Sequence, residues 1–203
     1  MDAVVHCAGI CPTNAVEVQT PEVLAAALNV NVVGSVRVLR ESMPRLRGHG
    51  GRILLFSSLW GKVGGPMLSA YCASKHAIEA IADSARRETK GQNFDIVVIE
   101  PGVILTGMAN AQGAAARRAE AELPEANKAV YATLYSKFTN MIERTDKNGT
   151  SAEDCAKQLL AILATPKPKS RYPIGKDAKA LTFMARILPD AALDKLFKSM
   201  MKM

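Results

Sequence analysis

The sequence predicts an α/β protein, a parallel sheet covered by helices on both faces, and two observations carry that expectation. Short apolar runs, Ala3–Val5, Arg52–Ser57 and Asp95–Ile99, recur between much longer helical stretches. Strands separated in this way pair in parallel. The chain is 203 residues long with 48% hydrophobic and 22% charged residues, enough for one domain, 1–203, with a sizeable core.

The elements follow in order. Ala3–Val5 is the first strand, and it runs into a small-residue turn at Ala8-Gly9. Thr20-Pro21-Glu22 starts a helix with a capping hydroxyl, a proline at the first helical position and an acid in the first turn. That helix runs to about Arg45 with a bend near Asn31, and His49-Gly50-Gly51 breaks it. Arg52–Ser57 is the second strand, delivering Ser58 at its end. A helix over Ser69–Thr89 carries the apolar stripe Ala77, Ile78, Ile81, Ala82 and Ala85. Gly91 stops it, and Asp95–Ile99 is the third strand. Gly107 to Gly149 reads as Ala-rich, charged helix without a strand. Ser151-Ala-Glu-Asp154 is a capping-box-like start to a helix ending near Ala164. SRYPIG is a final short strand. The last helix, Ala191–Met203, sets Leu193, Leu196, Phe197, Met200 and Met201 on one face and Lys195, Lys198 and Lys202 around the rest.

Charge and cysteine content exclude some functions. The net charge is +7, but residues 166–203 hold nine of the 26 Lys and Arg residues and three of the 19 acids. The excess is thus a basic C-terminal extension, and the body is not a nucleic-acid surface. Cys7, Cys11, Cys72 and Cys155 lack the second pair or histidine that a metal site needs. They are expected to be small buried hydrophobes in a reducing compartment. No apolar run reaches the ~20 residues that span a bilayer. The expectation is a cytoplasmic protein, with peripheral membrane contact through the basic amphipathic C-terminal helix as the alternative setting.

The chemistry lies in FSSLWGKVGGPMLSAYCASKHA. Tyr71 and Lys75 are four apart, one turn from each other on the same helix face. An ammonium that close is expected to lower the tyrosine pKa toward the range of a general acid/base. Ser58, on a separate segment, supplies a hydroxyl to a carbonyl oxygen. Ser58 to Tyr71 is thirteen residues, and YCASK has the form Tyr-x-x-x-Lys.

This stretch resembles the short-chain dehydrogenase/reductase family, and further matches follow in that family's order over residues 2–106. DAVVHCAGI is similar to the Asn-Asn-Ala-Gly segment, with His6-Cys7 in place of the two asparagines; Ala8 and Gly9 would lie beside the adenine side of the cofactor. NVNVVG places the family's catalytic asparagine at Asn31, a member of the proton relay. IEPGVILTGM is similar to the Pro-Gly-x-x-x-Thr segment, so Pro101, Gly102, Val103 and Thr106 would face the nicotinamide and phosphate end. The resemblance implies a doubly wound, Rossmann-like sheet and hydride transfer between NAD or NADP and a carbonyl or secondary alcohol. Tyr71 would handle the proton, and Lys75 would tune Tyr71 and hold the nicotinamide ribose. Ser58 would polarise the substrate oxygen.

The same resemblance makes 107–150 a substrate lid, with Met108, Leu123, Tyr131, Leu134, Tyr135 and Phe138 either lining a lipophilic pocket or packing as core. The C-terminal part is similar to members acting on steroids, retinoids and other lipophilic alcohols. Pairing into a homo-oligomer through the Asn31 and Tyr71 helices is implied as well. The Gly-rich loop that cradles the pyrophosphate is not found. The chain therefore reads as lacking the first two βα units and the third strand, about 70 residues at ~30 per βαβ unit, and the choice between NAD and NADP is not legible. It is expected to be a fragment of such an enzyme; a catalytically silent interaction module, unable to bind dinucleotide, is the alternative.

Overall fold

The computed structural model describes residues 1–146 and 148–202. Its main sheet has four strands, β1 (Ala3–His6), β2 (Arg52–Phe56), β3 (Asp95–Pro101) and, last in the chain, β6 (Arg171–Ile174), in the order β1-β2-β3-β6 and all parallel. The helices are α1 (Pro21–Ala27) and α2 (Gly34–Leu46), joined by a π-helical segment over Leu28–Val33, then α3 (Ser69–Glu88), α4 (Gly107–Ala121), α5 (Glu125–Asp146), α6 (Ala152–Ala164), α7 (Lys176–Ile187) and α8 (Asp190–Met200). Two short strands, β4 (Ile104–Leu105) and β5 (Thr150–Ser151), pair in parallel beside the main sheet.

Side chains of the central strands point alternately to two covered faces. Ile53, Leu55, Ile96 and Val98 pack against Leu39, Leu46, Ile78 and Ala82 from α2 and α3. Leu54, Val97 and Ile99 pack on the opposite face against Cys155 and Ile162 of α6. Burial on both faces is what makes these strands continuous apolar runs. At the sheet edge β1 pairs, among the described residues, only with β2, and Val5 is 41% exposed there. Two satellite clusters lie beyond the C-terminal ends of the strands. One joins α5 to the start of α3 through Tyr135, Phe138, Leu68 and Cys72. The other seats α7 and α8 on Leu59, Trp60 and Val63.

Several expectations are revised. The helix from Pro21 begins where expected, yet Thr20 makes no side-chain cap bond. The bend near Asn31 is a π turn in which Gly34 N–H donates to Asn29 O, five residues back. Pro21–Leu46 is one 26-residue helical run, long and apolar enough by length and composition to cross a bilayer. This corrects the statement that no run reaches that length: Asn29, Asn31 and Ser35 interrupt the apolar string, yet the helix as a whole is still apolar on average. Helix α7 and the strands β4 and β5 were not expected. The apolar face of α8 is occupied, because Leu193, Leu196 and Phe197 pack beside Trp60, whose ring stacks on Phe197 at 6.0 Å. Lys195 and Lys198 are exposed.

Candidate active site

Ser58 is placed by the way β2 ends. Ser57 N–H still donates to Ile99 O at 2.8 Å, after which Ser58, extended and 4% exposed, caps the 3₁₀ turn Leu59–Gly61. Its Oγ accepts from Trp60 N at 3.2 Å and donates to Pro101 O at 3.4 Å. The hydroxyl therefore bridges the ends of two adjacent strands. Gly61 keeps this turn against α3: a Cβ there would stand 3.1 Å from Lys75 O, closer than side chains ordinarily approach.

Helix α3 brings Tyr71 and Lys75 to the same cleft one turn apart. Lys75 is 4% exposed, its Nζ lies 5.4 Å from the centre of the Tyr71 ring, and it donates to Phe56 O at 2.7 Å. No carboxylate pairs with it among the described residues. Burial lowers its pKa from 10.5 to about 8, against an opposing pull from Cys11 and Cys7. Tyr71 moves the other way from expectation. Burial and then Cys11 push its pKa up from 10.0, while a hydrogen bond from Ser58 pulls it down. The Lys75 ammonium is meanwhile directed to a backbone carbonyl.

Asn31 sits in the π segment, fully buried. Its Oδ1 accepts from Ile10 N at 2.8 Å, and its Nδ2 donates to Ile10 O at 2.9 Å and to Ser74 Oγ at 2.9 Å. Ser74 Oγ in turn donates to Tyr71 O at 2.7 Å. One amide thus fastens the loop after β1 to the helix that carries Tyr71 and Lys75. Gly9 lies in this contact, since a Cβ on it would meet Asn31 Oδ1 at 3.1 Å and Lys75 Nζ at 3.8 Å.

These groups share a cleft of about 450 Å³. Ser58, Tyr71, Lys75, Gly9, Pro101, Gly102, Val103 and Thr106 all line it. Asn31 stands behind the wall, and Ala8 is exposed outside the lining. Two groups assigned to a cofactor by resemblance already have partners in the chain: Lys75, as described, and Val103, whose N–H donates to Asp177 Oδ2 at 2.7 Å. Of the six lid candidates only Met108 lines the cleft; Leu123, Tyr135 and Phe138 are buried core, with Tyr131 and Leu134 packed on them. Sequence reasoning missed the thiols. Cys7, Cys11 and Cys155 line the cleft, all four cysteines are free, and Cys7 is exposed rather than buried. Burial pushes Cys11 up to about 12. The available signal was position, since Cys7 follows β1 directly and Cys11 follows the Gly9 turn. Among the described residues, no group of three or more His, Cys, Asp or Glu side chains could hold a metal.

Comparison with known proteins gives concordant results. The chain is 31% identical over 182 residues to retinol dehydrogenase 16 of Mus musculus, covering 85% of this chain and 55% of that protein. It is 29% identical over 207 residues to the NADPH-dependent 3-dehydrocapnine reductase of Ornithobacterium rhinotracheale, covering 97% and 69%. With 17-beta-hydroxysteroid dehydrogenase type 6 of Homo sapiens it shares 30% over 174 residues, 82% of this chain and 54% of that one. The chain therefore spans about half to two thirds of the length of these relatives. The fold matches a short-chain dehydrogenase from Streptomyces avermitilis with a TM-score of 0.71 at 21% identity, over 99% of this chain and 67% of that one. It matches a short chain dehydrogenase from Burkholderia cenocepacia J2315, solved in complex with NADP, with a TM-score of 0.73 at 19% identity, over 97% and 68%. A family model described as short chain dehydrogenase matches residues 1–117, more than half of the sequence and the whole span from β1 to the segment after β3, and the chain belongs to that family.

Proposed function

We propose that this chain forms the catalytic side of an oxidoreductase that moves a hydride between NAD or NADP and a carbonyl or secondary alcohol on a lipophilic substrate. The supporting observation is the convergence of Ser58, Tyr71 and Lys75, from β2 and α3, on one cleft. The residues present fit the nicotinamide end of such a cofactor in kind, since Gly9, Lys75, Pro101, Val103 and Thr106 line one cleft, although the Asp177 carboxylate occupies the space beside Gly102. A bound dinucleotide would supply the hydride to a carbonyl or take it from an alcohol, and the chain's own residues do the remaining work. Tyr71 donates or accepts the proton at the substrate oxygen. Ser58, held by Trp60 N and Pro101 O, orients that oxygen and lowers the entropic part of the barrier. Lys75, now donating to Phe56 O, would hold the cofactor's ribose and place its ammonium to counter the burial that raises the tyrosine pKa. Asn31 positions the loop and helix around them.

Trp60, Met108, Ile142 and Leu159 make much of the cleft wall apolar, which supports a lipophilic alcohol or ketone as substrate. The names of the relatives, a retinol dehydrogenase and a hydroxysteroid dehydrogenase, point the same way. For assembly, the exposed Val30, Val33 and Val36 on the long helix support pairing with a second copy. In the longest natural protein that carries this chain, Tyr71→Phe should lower kcat by about 10²- to 10⁴-fold and leave dinucleotide affinity unchanged. Stopped-flow hydride transfer and fluorescence titration measure the two separately, and retained turnover would sink the assignment.

A silent interaction module is the second reading, favoured by the internal partners of Lys75 and Val103. It predicts no dinucleotide binding at all.

A further inference from the structure

Behind the cleft wall lies a charged cluster that the proposed chemistry does not use. Glu79 is one turn beyond Lys75 on α3, and Glu100 stands on β3 directly before Pro101-Gly102. Their side chains are 8% and 5% exposed. One oxygen of each, Glu79 Oε1 and Glu100 Oε1, is buried without a hydrogen-bond partner, and the two carboxyl groups converge on the same two bases. Two bases face them. Lys62 Nζ is 3.6 Å from Glu79 and 3.9 Å from Glu100, and Arg171 Nε is 2.8 Å from Glu79 and 3.5 Å from Glu100. Arg171 also reaches Asp83 at 2.8 Å, and Arg86 and Arg87 hold the outer side of Asp83.

The inner group therefore has two acids, Glu79 and Glu100, against two bases, Lys62 and Arg171, while Asp83 is held by Arg86, Arg87 and Arg171. Fully ionised, it leaves two acceptors, Glu79 Oε1 and Glu100 Oε1, without a hydrogen-bond donor in a poorly hydrated place, which is costly. One proton shared between them removes the defect, because a protonated carboxyl donates to its neighbour. We propose that Glu79 and Glu100 hold one proton between them and, with Lys62 and Arg171, act as positioning residues for the cleft. The cluster joins the four segments that shape the site. Lys62 follows the turn begun by Ser58, Glu79 shares α3 with Tyr71 and Lys75, Glu100 leads into Pro101-Gly102, and Arg171 opens the strand leading to Asp177. Losing the proton adds repulsion at the point where these segments meet.

Burial first, and then Glu79, push the Glu100 carboxyl up from 4.5 to about 7. The folded chain then binds this proton more tightly than the unfolded chain. Its contribution to stability is full below pH 4.5 and is lost as pH rises to about 7. In that window the unfolding equilibrium constant should rise by up to about tenfold per pH unit from this proton.

The test uses the 203-residue chain, with urea unfolding and emission of its single tryptophan, Trp60, followed from pH 4.5 to 8.5. Wild type should show the one-proton dependence, and Trp60, two residues from Lys62, should change emission with a midpoint near 7. In Glu100→Gln, whose amide supplies a permanent donor to Glu79, both changes should vanish while His6, His49 and His76 are retained. Glu79→Gln provides the same comparison if the first variant does not fold. Identical pH dependence in wild type and variant overturns the proposal. The consequence for turnover rests on the oxidoreductase reading: the alkaline limb of the kcat profile should move in Glu100→Gln with KM unchanged. A chain that never turns over but shows the shared proton keeps this inference and discards that reading.

Discussion

Lys75 holds its ammonium in a 4% exposed site with a carbonyl, and no described carboxylate, as its partner. Its folded pKa, about 8, lies below the ordinary 10.5, so the folded state binds this proton less tightly than the unfolded chain. Charged Lys75 thus costs stability below pH 8, and the cost fades as pH approaches 10.5. Lys75→Met should therefore stabilise the fold by about 1–3 kcal/mol at pH 7, with a smaller gain at pH 10, while removing the cation the chemistry needs. Urea unfolding at the two pH values measures this; a less stable variant at pH 7 would contradict it. At this scale the spacing of Ser58, Tyr71 and Lys75 was legible in the sequence because a helix fixes i to i+4 geometry. The direction of the Tyr71 shift was not. It is set first by burial of the side chain and then by Cys11, and neither is written in the local spacing. The bond between Val103 and Asp177 crosses 74 residues and leaves no local pattern either.

Element boundaries followed the sequence wherever capping chemistry marks them. Ser151 Oγ accepts from Asp154 N at 3.0 Å, and α6 begins at the next residue. Thr20 occupies the equivalent position before α1 without making such a bond. Ser151→Ala should accordingly cost about 1 kcal/mol, whereas Thr20→Ala should stay within about 0.5 kcal/mol of wild type. Paired chemical denaturation curves distinguish the two, and equal losses would show that the Ser151 cap is not what starts α6. The elements that went unread lack such signals. β4 and β5 are two residues each, too short for any periodicity, and meet only because α4 and α5 lie between them. Helix α7 starts after Gly175, whose φ of +101° gives the backbone turn without a capping side chain. Its inward face, Ala178, Leu181 and Met184, is small and interleaved with lysines, so it read as part of a basic extension.

Across the whole molecule the C-terminal helices close one side of the cleft. Trp60 lines that cleft and stacks on Phe197, so α8 is joined to the turn that Ser58 begins. Ending the chain at Pro189 should shift Trp60 emission to longer wavelength and lower stability by about 2–5 kcal/mol, the usual cost of losing large core side chains; an unchanged spectrum would place Phe197 outside the core. The π turn at Leu28–Val33 has a consequence of another kind. It holds one residue more than regular winding requires, and that residue lets Asn31 face Ile10 and Ser74 while α2 keeps Leu39 and Leu46 on the sheet. A one-residue deletion within 28–33 would leave α2 in phase and swing the amide away. In related sequences a single gap at this place would then divide chains that retain the clamp from chains that retain only the scaffold.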